Sequence, residues 1–350
     1  MDNPYTTLFG KVPAQMIPRS QQAALVTDSF LAQSPSQQVY VVTGVRGSGK
    51  TVFMTDVSRS LARDDRWAIE ELSIEQDLLV GLAARLSNQK GLSRLFLEAK
   101  IDLSFFGLGV HVQGAQPITD VGVALERMLE VLKRANRRLL ITIDEVVNNA
   151  HMRLFASTFQ ILVRKDLPVF LLMTGLYENI ESLQNEKTLT FLYRAPKIRL
   201  EPLGIRSIAT NYARAFGIDR ERALKMARRT NGYSFAFQLL GHLVWERKGL
   251  TEQTLEEYKA QLFELSYDKI WSELSPGDRR VTYGIACAVS PKVQDIRTYL
   301  GLESNQLSPY RRRLINKGIV DGTQRGRMSF TLPCFDEYVL ERYGEDELLI

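Results

Sequence analysis

The sequence predicts an α/β fold, a parallel sheet with helices on both faces, followed by an all-helical segment and a small domain of three helices and a hairpin. Three observations lead there. Strand-length apolar runs alternate with helical periodicities as far as Pro202. From Ile205 to Leu274 only helical periodicities remain, and from Ser275 three helical patterns precede a short alternating stretch bounded by glycines. A chain of 350 residues fits two or three such domains.

Taken in order, Gln38–Thr43 (QVYVVT) is an apolar, β-branched run ending in glycines, and Thr51–Leu61 continues with helical spacing. A second strand is expected at Trp67–Ile74 with a helix at Asp77–Leu86, and a third at Leu139–Ile143 after the helical Val121–Ala135. Val169–Met173 and Lys197–Leu200 complete the strands. Near-continuous apolar strands such as LLITI and VFLLM suit a sheet buried on both faces. Between the second and third strands, about 100–116 alternates around central glycines and reads as an inserted hairpin. The helical segment carries patterns at Ile205–Phe216, Arg220–Thr230, Tyr233–Lys248 and Glu252–Leu274. The domains are therefore expected at 1–202, 203–274 and 275–350.

Composition excludes several classes. Hydrophobic residues make up 45% and charged residues 24%, which are ordinary globular values. No apolar run approaches the roughly 20 residues that span a bilayer, so no membrane partner is expected. The opening Met1–Gly10 lacks a basic-then-apolar leader, and Cys287 and Cys334 lack metal or redox spacing, so the expected compartment is a reducing cytoplasm. The histidines His111, His151 and His242 are scattered without metal spacing. The net charge of +5 is unevenly placed: Arg279–Arg327 holds ten Lys/Arg against three acids, which makes that segment basic and the remainder slightly acidic.

The strongest chemistry lies at Gly44-Val45-Arg46-Gly47-Ser48-Gly49-Lys50-Thr51, a full match to G-x-x-x-x-G-K-[ST] between an expected strand and an expected helix. The glycines let successive N–H groups surround an anion at the positive end of the following helix. Lys50 would reach the β- and γ-phosphates, and the Thr51 hydroxyl would ligate Mg²⁺. The ligands expected are thus ATP or ADP with Mg²⁺, on a P-loop NTPase sheet. Ile141-Thr142-Ile143-Asp144-Glu145 puts two carboxylates directly after an apolar strand, the Walker B position. Asp144 would hold the Mg²⁺, mostly through water, and Glu145 would orient or deprotonate the attacking water, which favours hydrolysis.

The order of P-loop, Asp-Glu Walker B, helical lid and three-helix-plus-hairpin end resembles the AAA+ class. It is similar in particular to prokaryotic ATPases related to origin-recognition initiators and to STAND-type signalling ATPases. The resemblance implies that Ile17-Pro18 lies beside the adenine, that Thr174 is the sensor 1 residue, and that Arg194 is an arginine finger offered to a neighbouring subunit of a homo-oligomer. Each has a plainer alternative: a turn, a strand end and a surface arginine. The lid departs from the initiators, since Phe235 in Gly232-Tyr233-Ser234-Phe235 stands where their sensor 2 arginine is found. The segment looks instead like the G-x-P element of STAND ATPases with Ser234 in place of proline. That implies a lid contacting adenine and a slow switch.

The C-terminal part resembles a winged helix, with Ser304–Lys317 as recognition helix, Ser304 as its N-cap, and Leu307, Tyr310 and Leu314 facing the core. Consecutive residues sit about 100° apart on a helix, so Arg311, Arg312 and Arg313 cannot all be inward. With Arg325 and Arg327 in the wing they are candidate phosphate contacts for duplex DNA. The alternative is a module that packs on the core or on a partner protein, as in a signalling or defence ATPase.

Overall fold

The computed structural model describes residues 2–8, 12–102, 104, 118–187 and 189–348. The hairpin expected at about 100–116 lies outside the described residues, apart from 100–102 and 104. By internal contacts the chain forms two compact units, one of Arg19–Thr43 with Lys50–Arg199, the other of Met1–Pro18 with Gly44–Gly49 and Leu200–Ile350.

The first unit is built on five parallel strands, β1 (Val39–Thr43), β2 (Trp67–Leu72), β3 (Arg138–Ile143), β4 (Val169–Gly175) and β5 (Lys197–Arg199), in the order β2-β3-β4-β1-β5. All of β1 and β4 is buried, which explains their unbroken apolar sequence. Helices α1 (Ser20–Leu31), α2 (Lys50–Leu61), α3 (Leu78–Asn88), α4 (Ser93–Glu98), α5 (Val121–Arg134), α6 (Ala150–Arg164), α7 (Tyr177–Gln184) and α8 (Thr190–Tyr193) join the strands. Short polar residues start several of them: the side chains of Asp77, Asp120 and Asn149 accept backbone N–H groups of α3, α5 and α6. Helix α5 buries Ala124, Leu125, Met128, Leu129 and Leu132 at three- and four-residue intervals. Phe30 of α1, Tyr40, Trp67 and Phe170 form an aromatic cluster. Strand β2 stops at Leu72, two residues short of the sequence expectation, because its neighbour β3 ends at Ile143, opposite Leu72.

The second unit is helical. Its helices are α9 (Ile205–Phe216), α10 (Arg220–Arg228), α11 (Ser234–Arg247), α12 (Glu252–Leu262), α13 (Asp268–Ser272), α14 (Pro276–Cys287), α15 (Val293–Leu300), α16 (Ser304–Lys317) and α17 (Phe335–Leu348). The single helix expected over Glu252–Leu274 is α12 and α13 joined by a π-helical turn at Phe263–Tyr267. Helix α11 is buried almost all round, and its Gly241 admits the Tyr5 ring, which would lie 2.5 Å from an added Cβ. The Tyr5 hydroxyl donates to Asn211 at 2.8 Å, so the chain's opening segment, which the sequence reading counts with the strands, is part of this helical core. Helix α16 starts one residue earlier than expected in its cap: Glu303, not Ser304, is the N-cap, in a reciprocal capping box with Gln306. After α16, antiparallel bridges join Val320 to Phe330 and Arg327 to Lys292, giving three helices and a minimal ribbon. No helix among the described residues is long and apolar enough to cross a membrane.

Candidate functional site

In the sheet unit the strand order places β4 between β1 and β3, so Thr174 near the end of β4 lies beside the residues that leave β3. Asp144 is the hub. Its Oδ2 accepts from the Thr51 hydroxyl at 2.7 Å, and its Oδ1 accepts from the Thr174 hydroxyl and, at 3.0 Å, from the Glu145 N–H. The Glu145 N–H also reaches the Thr174 hydroxyl oxygen at 3.2 Å, and the Val146 N–H reaches the Thr174 carbonyl at 2.9 Å. Glu145 takes a left-handed conformation with φ 49°, uncommon for a non-glycine residue, and its side chain is exposed. Those two hydrogen bonds hold the peptide in that conformation. Lys50, 8% exposed, and Thr51 open α2.

Beside Asp144 and Glu145 is a cavity of about 460 Å³ lined also by Glu71, Ser73, Glu75 and Arg85. Arg85 is the one cation among those walls. It opposes burial at Glu70 of β2, whose carboxyl is nevertheless pushed above its ordinary range by desolvation.

Gly44–Gly49 falls in the helical unit, where its outward carbonyls are held. Gly47 and Gly49 have φ of 74° and 91°, the turn geometry for which the motif needs glycine. The Tyr233 hydroxyl donates to the Arg46 carbonyl at 2.7 Å, the Phe235 N–H to the Gly47 carbonyl at 3.1 Å, and the Ser234 hydroxyl to the Ser48 carbonyl at 2.9 Å. Arg46 and Glu273 lie 3.7 Å apart, and Gly318, the left-handed cap of α16, would bring an added Cβ within 3.3 Å of the Val45 nitrogen. The sequence reading names Phe235 only as the residue in the sensor 2 place and gives Tyr233 no role, because what both residues hold is backbone atoms that no motif spells.

The remaining sequence candidates are scattered. Arg194 caps the short α8, is exposed and has no carboxylate partner among the described residues. Ile17 packs on the helical core while Pro18 is exposed. On α16 the three arginines differ. Arg312 is exposed, Arg313 makes a two-point ion pair with the buried Asp278 (2.8 Å), and the Arg311 Nε is buried without a hydrogen-bond partner among the described residues. Arg325 and Arg327 are exposed. A cavity of about 520 Å³ adjoins the ribbon and is lined in part by Arg228 and Arg229 at the end of α10, with Ser290, Phe330 and Asp336. Exposed Lys292 faces Arg327 across the bridge. These three cations lie outside or at the margin of the sequence motifs, and only the fold groups them.

A family model described as "Domain of unknown function (DUF8462)" matches residues 264–339, from the π-helical turn into α17. No curated protein matches the sequence. Among solved structures, the chain is similar to the Walker-type ATPase of Pyrococcus abyssi, with 12% identity, a TM-score of 0.64 and coverage of 93% of this chain and 96% of that one. It is also similar to the ORC2 protein of Aeropyrum pernix, in its ADPNP–ADP complexes (15% identity, TM-score 0.59, 97% and 98% coverage) and in its ADP form (15%, 0.51, 97% and 97%). The chain thus has the P-loop NTPase fold of these ATPases over nearly its whole length, and the initiator-like resemblance of the sequence holds at the level of fold.

Proposed function

We propose that this chain is a Mg²⁺-dependent AAA+ ATPase that acts as a nucleotide-controlled switch and associates with duplex DNA through a C-terminal winged helix. The observation that carries the ATPase reading is the convergence of Thr51, Glu145 and Thr174 on Asp144. Thr51 and Asp144 already share a hydrogen bond, so their oxygens are close enough to serve one small, hard cation. Mg²⁺ held there would neutralise charge on the β- and γ-phosphates. Lys50 binds those phosphates, Thr174 fixes the Asp144 carboxylate, and the exposed Glu145 carboxylate accepts a proton from the attacking water. Arg194, exposed and with no carboxylate partner among the described residues, suits a finger that stabilises the γ-phosphoryl of a second copy. The domain scheme is an ATPase domain over 1–202, a lid over 203–274 and a winged helix over 275–350, in a cytoplasmic protein.

The DNA arm of the reading rests on charge. Arg312, Arg325, Arg327 and Lys292 are exposed, and Arg228 and Arg229 add two cations beside the ribbon. Against it, Arg313 is committed to Asp278 within the domain, which favours a second reading: a STAND-like signalling ATPase whose winged helix binds protein.

One set of measurements tests both. Glu145→Gln is expected to retain Mg·ATP and to hydrolyse it at least ~100-fold more slowly, the scale of losing a positioned base. That variant, holding ATP, is then titrated with duplex DNA at several salt concentrations. Replacing Arg312 and Arg325 together should flatten the slope of log affinity against log salt by up to about 2. Wild-type turnover in Glu145→Gln removes the catalytic assignment, and salt-independent or absent DNA binding with ATP gives the second reading precedence.

A further inference from the structure

Within the helical unit three consecutive lid residues grip three consecutive P-loop carbonyls: Tyr233 on Arg46, Phe235 on Gly47, Ser234 on Ser48. A trans peptide points its C=O and its N–H in opposite directions. Fixing the carbonyls of Arg46, Gly47 and Ser48 therefore also fixes the N–H groups of Gly47, Ser48 and Gly49, and turns them away from the lid. In this structure the Ser48 N–H closes a turn on the Val45 carbonyl at 3.1 Å. N–H groups are what a glycine-rich loop offers to phosphate.

The fit permits no side chain at Gly47, where an added Cβ would stand 2.3 Å from the Tyr233 hydroxyl and 3.0 Å from the Phe235 Cβ. Tyr233 is 3% exposed, and burial keeps its phenol protonated far above neutral pH, so it remains a donor. Its hydroxyl also meets the Ser266 hydroxyl at 2.7 Å, in the π-helical turn. The next two residues hold the C-terminal end of the chain. The Tyr267 hydroxyl donates to the Pro333 carbonyl at 2.6 Å, and Asp268 accepts from the Tyr338 hydroxyl of α17 at 2.8 Å.

From this geometry we infer that Tyr233–Phe235 is a backbone clamp on the P-loop, that Tyr233 is a positioning residue for phosphate binding, and that Ser266–Asp268 links the clamp to α17. The inference rests on the P-loop being a nucleotide site, but its core can be tested without nucleotide. The absent sensor 2 arginine gains a physical counterpart: this lid shapes the loop that binds phosphate.

The experiment uses the full chain with Tyr233→Phe, Ser234→Ala, Ser266→Ala and Tyr338→Phe, each checked for wild-type secondary structure and melting. Hydrogen exchange of the nucleotide-free protein is expected to speed up at the Ser48 amide, which donates to the Val45 carbonyl, in Tyr233→Phe and Ser234→Ala, and more weakly in Ser266→Ala. Calorimetry should then give about 3- to 10-fold weaker Mg·ATP and Mg·ADP binding for Tyr233→Phe, the scale of one buried hydrogen bond. Tyr338→Phe, far along the chain from the loop, should shift exchange at Ser48 in the same direction by less. A folded Tyr233→Phe or Ser234→Ala with wild-type exchange at Ser48 overturns the clamp. Faster exchange in the variants, beside a wild type that binds no nucleotide, leaves the clamp standing and removes the ATPase reading. Unchanged exchange in Tyr338→Phe overturns the link to α17.

Discussion

The two halves of the P-loop are supported in different ways. Thr51, which with Lys50 opens α2, is joined to Asp144, Glu145 and Thr174 by hydrogen bonds that each have a side chain as donor or acceptor. Arg46, Gly47 and Ser48, a few residues earlier, are held by Tyr233, Ser234 and Phe235 through main-chain carbonyls. The first arrangement constrains residue identity and leaves a motif in the sequence. The second constrains only shape and the presence of a donor, which many sequences satisfy.

The largest effect expected from this contrast is at Lys50. Under the proposed function Lys50→Ala removes the charge that meets the phosphates, so Mg·ATP affinity should fall at least ~100-fold in calorimetry, to loss of measurable binding. The lid variants lose roughly tenfold at most, because the loop that they loosen still carries its lysine. If Lys50→Ala, folded, bound Mg·ATP as the wild type does, the side-chain half would not be the phosphate site, and the comparison would collapse.

The same contrast explains how much of the molecule was legible. Strands β1, β3 and β4 and helices α2, α5 and α9 stand within a residue or two of their sequence expectations, since burial on both sheet faces, or on one helix face, writes a periodic pattern. The Gly44–Thr51 and Asp144-Glu145 patterns stand out in the sequence because phosphate and metal chemistry tolerate few residues. The π-helical turn at Phe263–Tyr267 was not, since one extra residue per turn alters the hydrogen-bond ladder and barely the hydrophobic spacing. Nor could the sequence divide Arg311, Arg312 and Arg313. That division depends on Asp278, 35 residues earlier, whose carboxylate is buried and needs one of the three.

An effect confined to turnover, leaving affinity untouched, is expected at Arg194. It is exposed and has no carboxylate partner among the described residues, as the proposed finger requires, and a finger acting in trans adds up to ~10³-fold to turnover. ATP hydrolysis per chain should then rise with protein concentration, and Arg194→Ala should lower the rate with Mg·ATP affinity unchanged. A concentration-independent rate, equal in the variant, returns Arg194 to a surface arginine. It would also confine the catalytic half of the comparison to one chain.

The smallest effect probes whether the sheet unit hides a group that its motifs do not spell. Glu70 is 9% exposed on β2, and burial raises its carboxyl pKa while Arg85 partly offsets that shift. A carboxyl with a raised folded pKa favours the native state when protonated. Its contribution is complete below the unfolded value, about 4.3, and declines as pH rises towards the folded value. At pH 7 the charge is therefore a cost, and Glu70→Gln should stabilise the protein by at most about 1 kcal/mol, because water and Arg85 screen the carboxylate. The gain in melting temperature over wild type should shrink as pH falls through that window and vanish at about pH 4. Unchanged ATP turnover beside that gain makes Glu70 a tolerated core charge. A drop in turnover would mean that Glu70 and Arg85 support the cavity wall beside Glu145, and that the sheet unit, like the lid, contains a functional element that its sequence motifs leave out.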